Sequence, residues 1–485
     1  VVLEAVRPTG PKRGRRVGGS LLVAALLMAI APVGASAQTL TDALAAAYMN
    51  NPTLNAARAQ LRAVDEGVPQ ALSNYRPQIN GTMSAGAVGT DSRLVTPSKK
   101  SGNRASAQSR AGSGTYPVSI GINLVQPIFR GFQTQNSVRS AESSVLAERE
   151  ALRNSEQSVM IDAVTAFVDV IQNLALVRLQ EANLQFLSEQ VKASQDRFQV
   201  GEGTQTDVAQ AQASEAQAQA DLASARADVQ TARAQFRAIT GLEAKRLVLQ
   251  PVGDKVRPKG LDSAMTLAQK EHPAILATIH NVDVAIFNVK ALEGQTLPQV
   301  DLQAGLNRDY TYGGQAVGSP RFTDTASVQL NMTVPIYQGG LVSSQVRQAK
   351  EDLGGARIQV DLNRDTVRSQ VVSAWYQLDA AEAAINSART AVVANQLAVN
   401  GVVEEQRVGQ ATTLDVLQQQ SLLIDAQTTL VFAERNKVVA LYTLIQAVGR
   451  LNAEALHLPV PIYKPRQHYE AVRDEWYGLR TPDGR

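Results

Sequence analysis

The chain has no cysteine. This excludes disulfides, thiolate metal sites, a cysteine nucleophile and a lipid-modified cysteine after a leader. Aromatic residues are scarce, at 5%, and a protein that buries few rings packs Ala, Leu and Val along helices rather than around one large centre. After residue 37 there is no run of about 18 consecutive apolar residues, so no helix is expected to cross a membrane. No G-x-x-x-x-G-K-[ST] phosphate loop occurs. The four histidines, His272, His280, His457 and His468, have neither H-E-x-x-H spacing nor thiol partners. No metal or other cofactor is expected. No convergent nucleophile, base or metal set points to an enzyme.

An excess of one charge is missing as well. The first 37 residues run from basic (Arg7, Lys12, Arg13, Arg15, Arg16) through apolar LLVAALLMAIAPV to A-S-A, the pattern of a secretory signal cleaved after Ala37. Without that leader 42 basic residues face 43 acidic ones, so nothing suggests a nucleic-acid partner. An exported chain without spanning helices is expected to be periplasmic, secreted or an outer-membrane barrel.

What is present is internal repetition. LTDALAAAYMNNP (40–52) pairs with LDSAMTLAQKEHP (261–273), and RPQING with LPQVDL, at an offset of 221. Beyond Gly121 the offset becomes 208, and it pairs Pro127 with Pro335, Gly131 with Gly339, Gly201 with Gly409, Asp207 with Asp415 and Gly241 with Gly449. The 13 additional residues of the first copy fall in a polar stretch, 89–114, expected to be a loop without strand or helix period.

Four segments alternate with period two. The clearest are VSIGINL (118–124), VDLQAGLN (300–307) and ASVQLNMTV (326–334), and INGTMSAGAV (79–88) is the weakest. Such segments fit half-buried soluble strands or membrane-barrel strands. Aromatics at the segment ends (Tyr116, Phe129, Phe132, Tyr310, Tyr312, Phe322, Tyr337) favour the barrel, because they stand where an interfacial girdle would lie. Four strands cannot close a membrane barrel, and an open edge cannot face lipid, so an oligomer must supply the rest. Two chains would give about eight strands and a filled interior, whereas three would give about twelve and begin to leave a lumen.

Each strand pair precedes a long helical pattern. Residues 133–199 contain neither Pro nor Gly and would reach about 100 Å as a helix. Val138, Val145, Leu152 and Val159 keep a heptad; after a step of four it resumes at Ala163, Val170, Val177, Leu184, Val191 and Phe198. The second copy has the same break, between Val367 and Val371. A shared stutter means that both helices change supercoil at the same height. After a V-G turn a second helix returns, making an antiparallel coiled-coil hairpin.

The expected fold class is mainly α with transmembrane β. The expected organisation is a signal peptide (1–37), a first repeat (38–240), a linker (241–260), a second repeat (261–450) and a tail (451–485). In the first repeat strands are expected at about 78–88 and 116–129, with helices at about 40–75, 133–199 and 204–240. In the second, strands are expected at about 298–309 and 322–336, with helices at about 262–296, 341–408 and 412–448.

This ordered set, with P-I-F-R-G (127–131) and P-I-Y-Q-G (335–339), resembles the TolC family of outer-membrane efflux and secretion channels over residues 38–460. The ending PVPIYKPRQHYEAVRDEWYGL resembles tails of members that serve type I secretion. The resemblance implies a homotrimer in outer-membrane lipid: a twelve-stranded barrel continuing into a twelve-helix tunnel, with a periplasmic tail. It also implies two partners at the periplasmic end, an adaptor (membrane fusion protein) and an inner-membrane ABC or RND-type transporter.

Carried over by position, Val200, Gly201, Val408 and Gly409 form hairpin tips that meet the adaptor, while Thr206 and Asp207 lie at the first-repeat gate. Asp415 matches the first acid of a D-V-L-D pattern, and Gln418 replaces the second. A single acidic ring implies weaker cation selectivity or block. T-x-x-D also occurs in both copies (Thr204–Asp207, Thr412–Asp415), and this start of a capping box explains the acids without a gate. The competing functional reading is a periplasmic adaptor or coiled-coil scaffold, which needs no barrel.

Overall fold

The computed structural model describes residues 38–97, 106–249, 256–313 and 321–484. The expected signal peptide lies outside the described residues, as do 250–255 of the expected linker.

Gln38–Thr39 (β1) leads into α1 (Leu40–Asn50), α2 (Pro52–Asp65) and α3 (Gly67–Ser73). The single helix expected over 40–75 is broken because Asn51 leaves the helix (ψ 124°) ahead of Pro52. Its side-chain carbonyl then caps the next helix by accepting from the amides of Thr53 and Leu54. The second half breaks in the same way. α6 (Leu261–Glu271) ends at His272, whose Nδ1 accepts from the Ala274 amide and starts α7 (Pro273–Glu293). The helix expected over 262–296 is thus two helices and a short 3-10 turn, Gly294–Thr296.

The strands of the main sheet are β2 (Gln78–Ala85), β3 (Val88–Pro97), β4 (Ser106–Arg130), β6 (Gln299–Tyr312) and β7 (Phe322–Thr333); β5 (Leu247–Val248) only joins β1 in a short parallel pair. Their order is β2–β4–β6–β7, all antiparallel, with β3 paired to the first half of β4. The polar stretch over 89–114 is therefore not a loop throughout. Val88–Pro97 and Ser106–Thr115 form a hairpin ladder that prolongs β4 to 25 residues. Alternation failed as a signal because backbone hydrogen bonds alone can hold a ladder whose residues do not alternate with period two.

Two helices of 67 residues each, α4 (Gln133–Gln199) and α8 (Leu341–Arg407), run down from the sheet and return as α5 (Gln205–Thr240) and α9 (Thr413–Ala447). The heptad residues face inward around the stutter: Val159, Ala163, Val367 and Val371 are all buried. At that height lies the main core, where α1, α2, α6 and the 451–458 segment wrap the middle of α4 and α8. Phe167 and Phe236 meet there with tilted rings, 6.3 Å between centroids.

By length and composition, α4 and the Leu261–Thr296 segment are apolar enough to cross a membrane. Packing accounts for the first and a helix break for the second. Met160, Val164, Phe167 and Val170 fill the core, and the second segment is interrupted at His272–Pro273. Nearer the tips the apolar core thins to Leu187, Ala218 and Leu417, with Leu184 and Phe186 against them.

Candidate functional site

The two hairpin tips are built alike. α4 ends in a Schellman turn: the Glu202 amide donates to the Arg197 carbonyl (2.9 Å) and the Gly201 amide to that of Phe198 (3.1 Å). Gln410 and Gly409 make the same bonds to Glu405 and Gln406. Gly201 and Gly409 are left-handed, φ 80° and 77°, with nothing near the place of a Cβ. The backbone alone demands glycine there. Val200 and Val408 are exposed beside them.

Each returning helix opens with a full capping box. Thr204 Oγ1 accepts from the Asp207 amide, while Asp207 Oδ2 accepts from the Thr204 amide (3.0 Å) and hydroxyl (2.6 Å). Thr412 and Asp415 repeat this at 2.8 and 2.7 Å. Hydrogen bonds from the Thr204 hydroxyl and amide hold the Asp207 carboxyl below the usual carboxylate range, with a smaller pull from Arg197. Those from Thr412 do the same for Asp415. Thr206, Asp415 and Gln418 are exposed. Asp415 and Gln418 stand at i and i+3 of α9, so both lie on one face.

A polar joint between the hairpins escaped the sequence reading. Arg197 Nη2 donates to Gln406 Oε1 (3.2 Å), and Gln406 Nε2 donates to Thr413 Oγ1 (3.2 Å). Farther up, Gln420 Nε2 donates to Asn183 Oδ1 (3.0 Å). Gln406, Thr413, Gln420 and Asn183 are all buried. The signal for Gln406 was available, because it continues the heptad of Val392 and Val399 where the first copy has Phe198. A polar residue on a core phase marks a joint held by a few directional bonds rather than by apolar area.

Among the described residues no three His, Asp or Glu side chains gather to hold a metal ion. The family model "Outer membrane efflux protein" matches residues 43–242 and 264–450, together most of the chain. The chain belongs to that family.

Its members are transport channels rather than enzymes. The chain is 45% identical over 468 residues to the outer membrane efflux protein BepC of Brucella suis biovar 1, covering 96% of this chain and 98% of that one. It is 25% identical over 430 residues to the outer membrane protein TolC of Escherichia coli K12, covering 87% and 84%. Among solved structures, CusC superposes with a TM-score of 0.69 at 17% identity, over 84% of this chain and 91% of that one. This export channel works in the outer membrane and reaches into the periplasm. The adaptor or scaffold reading falls with that result.

Proposed function

We propose that three copies close a twelve-stranded barrel above a twelve-helix tunnel, a passive conduit for drugs or secreted proteins. The observation that carries this is the incomplete seam of the single chain. β2 and β7 each have one unpaired edge among the described residues. Ladder β2–β4 pairs Gln78 with Val125, and ladder β6–β7 pairs Gln299 with Thr333, which are the same pair under the offsets of 221 and 208.

The middle ladder pairs Val125 with Gln303. Its counterpart across the seam sets Thr333 opposite the partner subunit's Thr82. Where β4 runs on to Arg130 against β6, the equivalent stretch after Thr333 has no partner and leaves the ladder, with Ile336 and Tyr337 95% and 86% exposed. Gly131 is pressed against the Gly294 carbonyl, whereas Gly339 has nothing within 4 Å. A neighbouring chain completes both.

At the periplasmic end the polar joint and the thin core let the hairpins part, and Thr206, Asp207, Asp415 and Gln418 line the entrance. Val200, Gly201, Val408 and Gly409 form the rim met by a periplasmic adaptor, behind which an ABC or RND-type pump supplies the energy. One test is a Thr82→Cys, Thr333→Cys chain, clean because the protein has no cysteine of its own. Oxidation should yield covalent trimers in outer-membrane fractions. Monomers alone, or dimers as the end product, would refute the seam.

A further inference from the structure

The segment after α9 forms a strap that climbs toward the sheet. Leu451, Leu456 and Leu458 enter the core, and the Tyr463 amide donates to Tyr48 Oη (2.9 Å). Helix α10 (Pro465–Val472) then docks on α2 through His468 and the buried Asp65, 3.0 Å apart. Arg473 pairs with Glu142 of α4 at 3.7 Å.

Above this point the strap makes a bend. Arg76 Nη1 donates to the Glu475 carbonyl (2.6 Å), and its guanidinium lies 4.7 Å from the Trp476 ring centroid. Gly478 turns the backbone at φ 149°, and the chain comes back down to place Asp483 3.9 Å from Arg62. The bend, Trp476–Leu479, is thus held two residues before the start of β2. Gln126 of β4 donates to the Tyr75 carbonyl at the same height (2.8 Å).

The strap packs through Leu451, Leu456, Leu458 and Val472, but its bend does not. Trp476 is 67% and Tyr477 92% exposed, and Leu479 is fully exposed; Tyr75 beside them is half exposed. The charge pattern is divided as well. Asp474 and Glu475 precede the bend and Asp483 follows it, while W-Y-G-L-R itself contains no acid. Tryptophan and tyrosine rings beside an arginine suit the boundary between hydrocarbon and headgroups, where one end of each side chain is dry and the other is wet. The same height marks the start of the exposed apolar Ile79 and Met83 of β2.

We propose that Trp476, Tyr477 and Leu479 anchor each chain in the phospholipid headgroup layer on the periplasmic face of the outer membrane, with Arg480 toward the phosphates. The inference rests on the proposed placement of the sheet in the bilayer. The rival occupant is a second copy of this chain, since β2 is an edge strand.

The chain has two tryptophans, so Trp375→Phe leaves Trp476 as the sole emitter. The full chain is reconstituted in phosphatidylethanolamine–phosphatidylglycerol vesicles with lipid brominated high on its acyl chains, and conductance is recorded on the same preparation. The anchor predicts loss of most Trp476 emission to bromine and little loss to aqueous iodide. Adding Tyr477→Asp and Leu479→Ser should reverse that preference. Quenching by iodide alone in conducting vesicles overturns the anchor and leaves the channel standing. Quenching by neither, with a Tyr477→Cys chain cross-linking to its neighbour, assigns the bend to the second copy and also overturns it. Vesicles without conductance would bring down the channel reading and the anchor with it.

Discussion

Phe198 and Gln406 hold the same position in α4 and α8, and the fold treats them oppositely: the phenyl ring is 47% exposed, the amide 7%. The first hairpin presents its apolar residue to solvent or to a partner, while the second turns its polar one inward to Arg197 and Thr413.

Gln406→Ala should loosen the joint, because it strands a guanidinium and a hydroxyl that now have a partner. Gln406→Leu should tighten it by restoring an apolar heptad residue. Single-channel conductance in planar bilayers should rise for the first variant and fall for the second. A double-mutant cycle of Arg197→Ala with Gln406→Ala should give a coupling of about 1 kcal/mol in the opening equilibrium.

The capping role of Asp415 separates from any role of its charge. Asp415→Asn keeps an acceptor for the Thr412 amide and removes the carboxylate, whereas Thr412→Ala keeps the carboxylate and removes half the box. If the charge lines the entrance, block by divalent cations should weaken in the first variant only. Thr412→Ala should instead destabilise the start of α9 by about 1 kcal/mol, read as faster amide exchange over 413–417. Equal block in both variants and the parent would confine Asp415 to the helix start.

His272 makes the fold sensitive to acid. Burial lowers its imidazole to about 4 from 6.5, with a smaller push from Arg153, and as a cap it must stay neutral to accept from Ala274. Between those values the unfolded chain binds a proton that the folded chain refuses. Stability from this site is therefore complete above pH 6.5 and falls as the pH drops toward 4. The full effect is about 3 kcal/mol per chain. His272→Asn, which copies Asn51, should flatten the pH dependence of the melting temperature between neutral and mildly acid buffer.

Gly409→Ala meets no steric obstacle but forces a left-handed alanine, at about 1 kcal/mol. Thermal melting should register that small loss, and Gly201→Ala should match it. A loss of export larger than the change in stability would mark the tip as a contact surface.

The long helices, their common stutter and the strand cores were legible in the sequence because they are periodic. The helix breaks at Asn51 and His272 were signalled by Pro52 and Pro273, but apolar periodicity ran through them and hid the caps. The β3–β4 ladder left no pattern because its residues do not alternate apolar and polar with period two. At the tips, glycine and the T-x-x-D boxes announced the turns. The Arg197–Gln406–Thr413 joint stayed hidden because it links residues from different hairpins, and a single sequence does not say which polar side chains will meet.

The equal 67-residue lengths of α4 and α8 make the protein a ruler. An insertion in one helix alone would lift its tip out of the common plane, so length should vary only by matched steps in all four coil helices. A chain shortened by one heptad in each would remain a sound channel about 10 Å shorter, and would serve only a cell whose two membranes stand that much closer together.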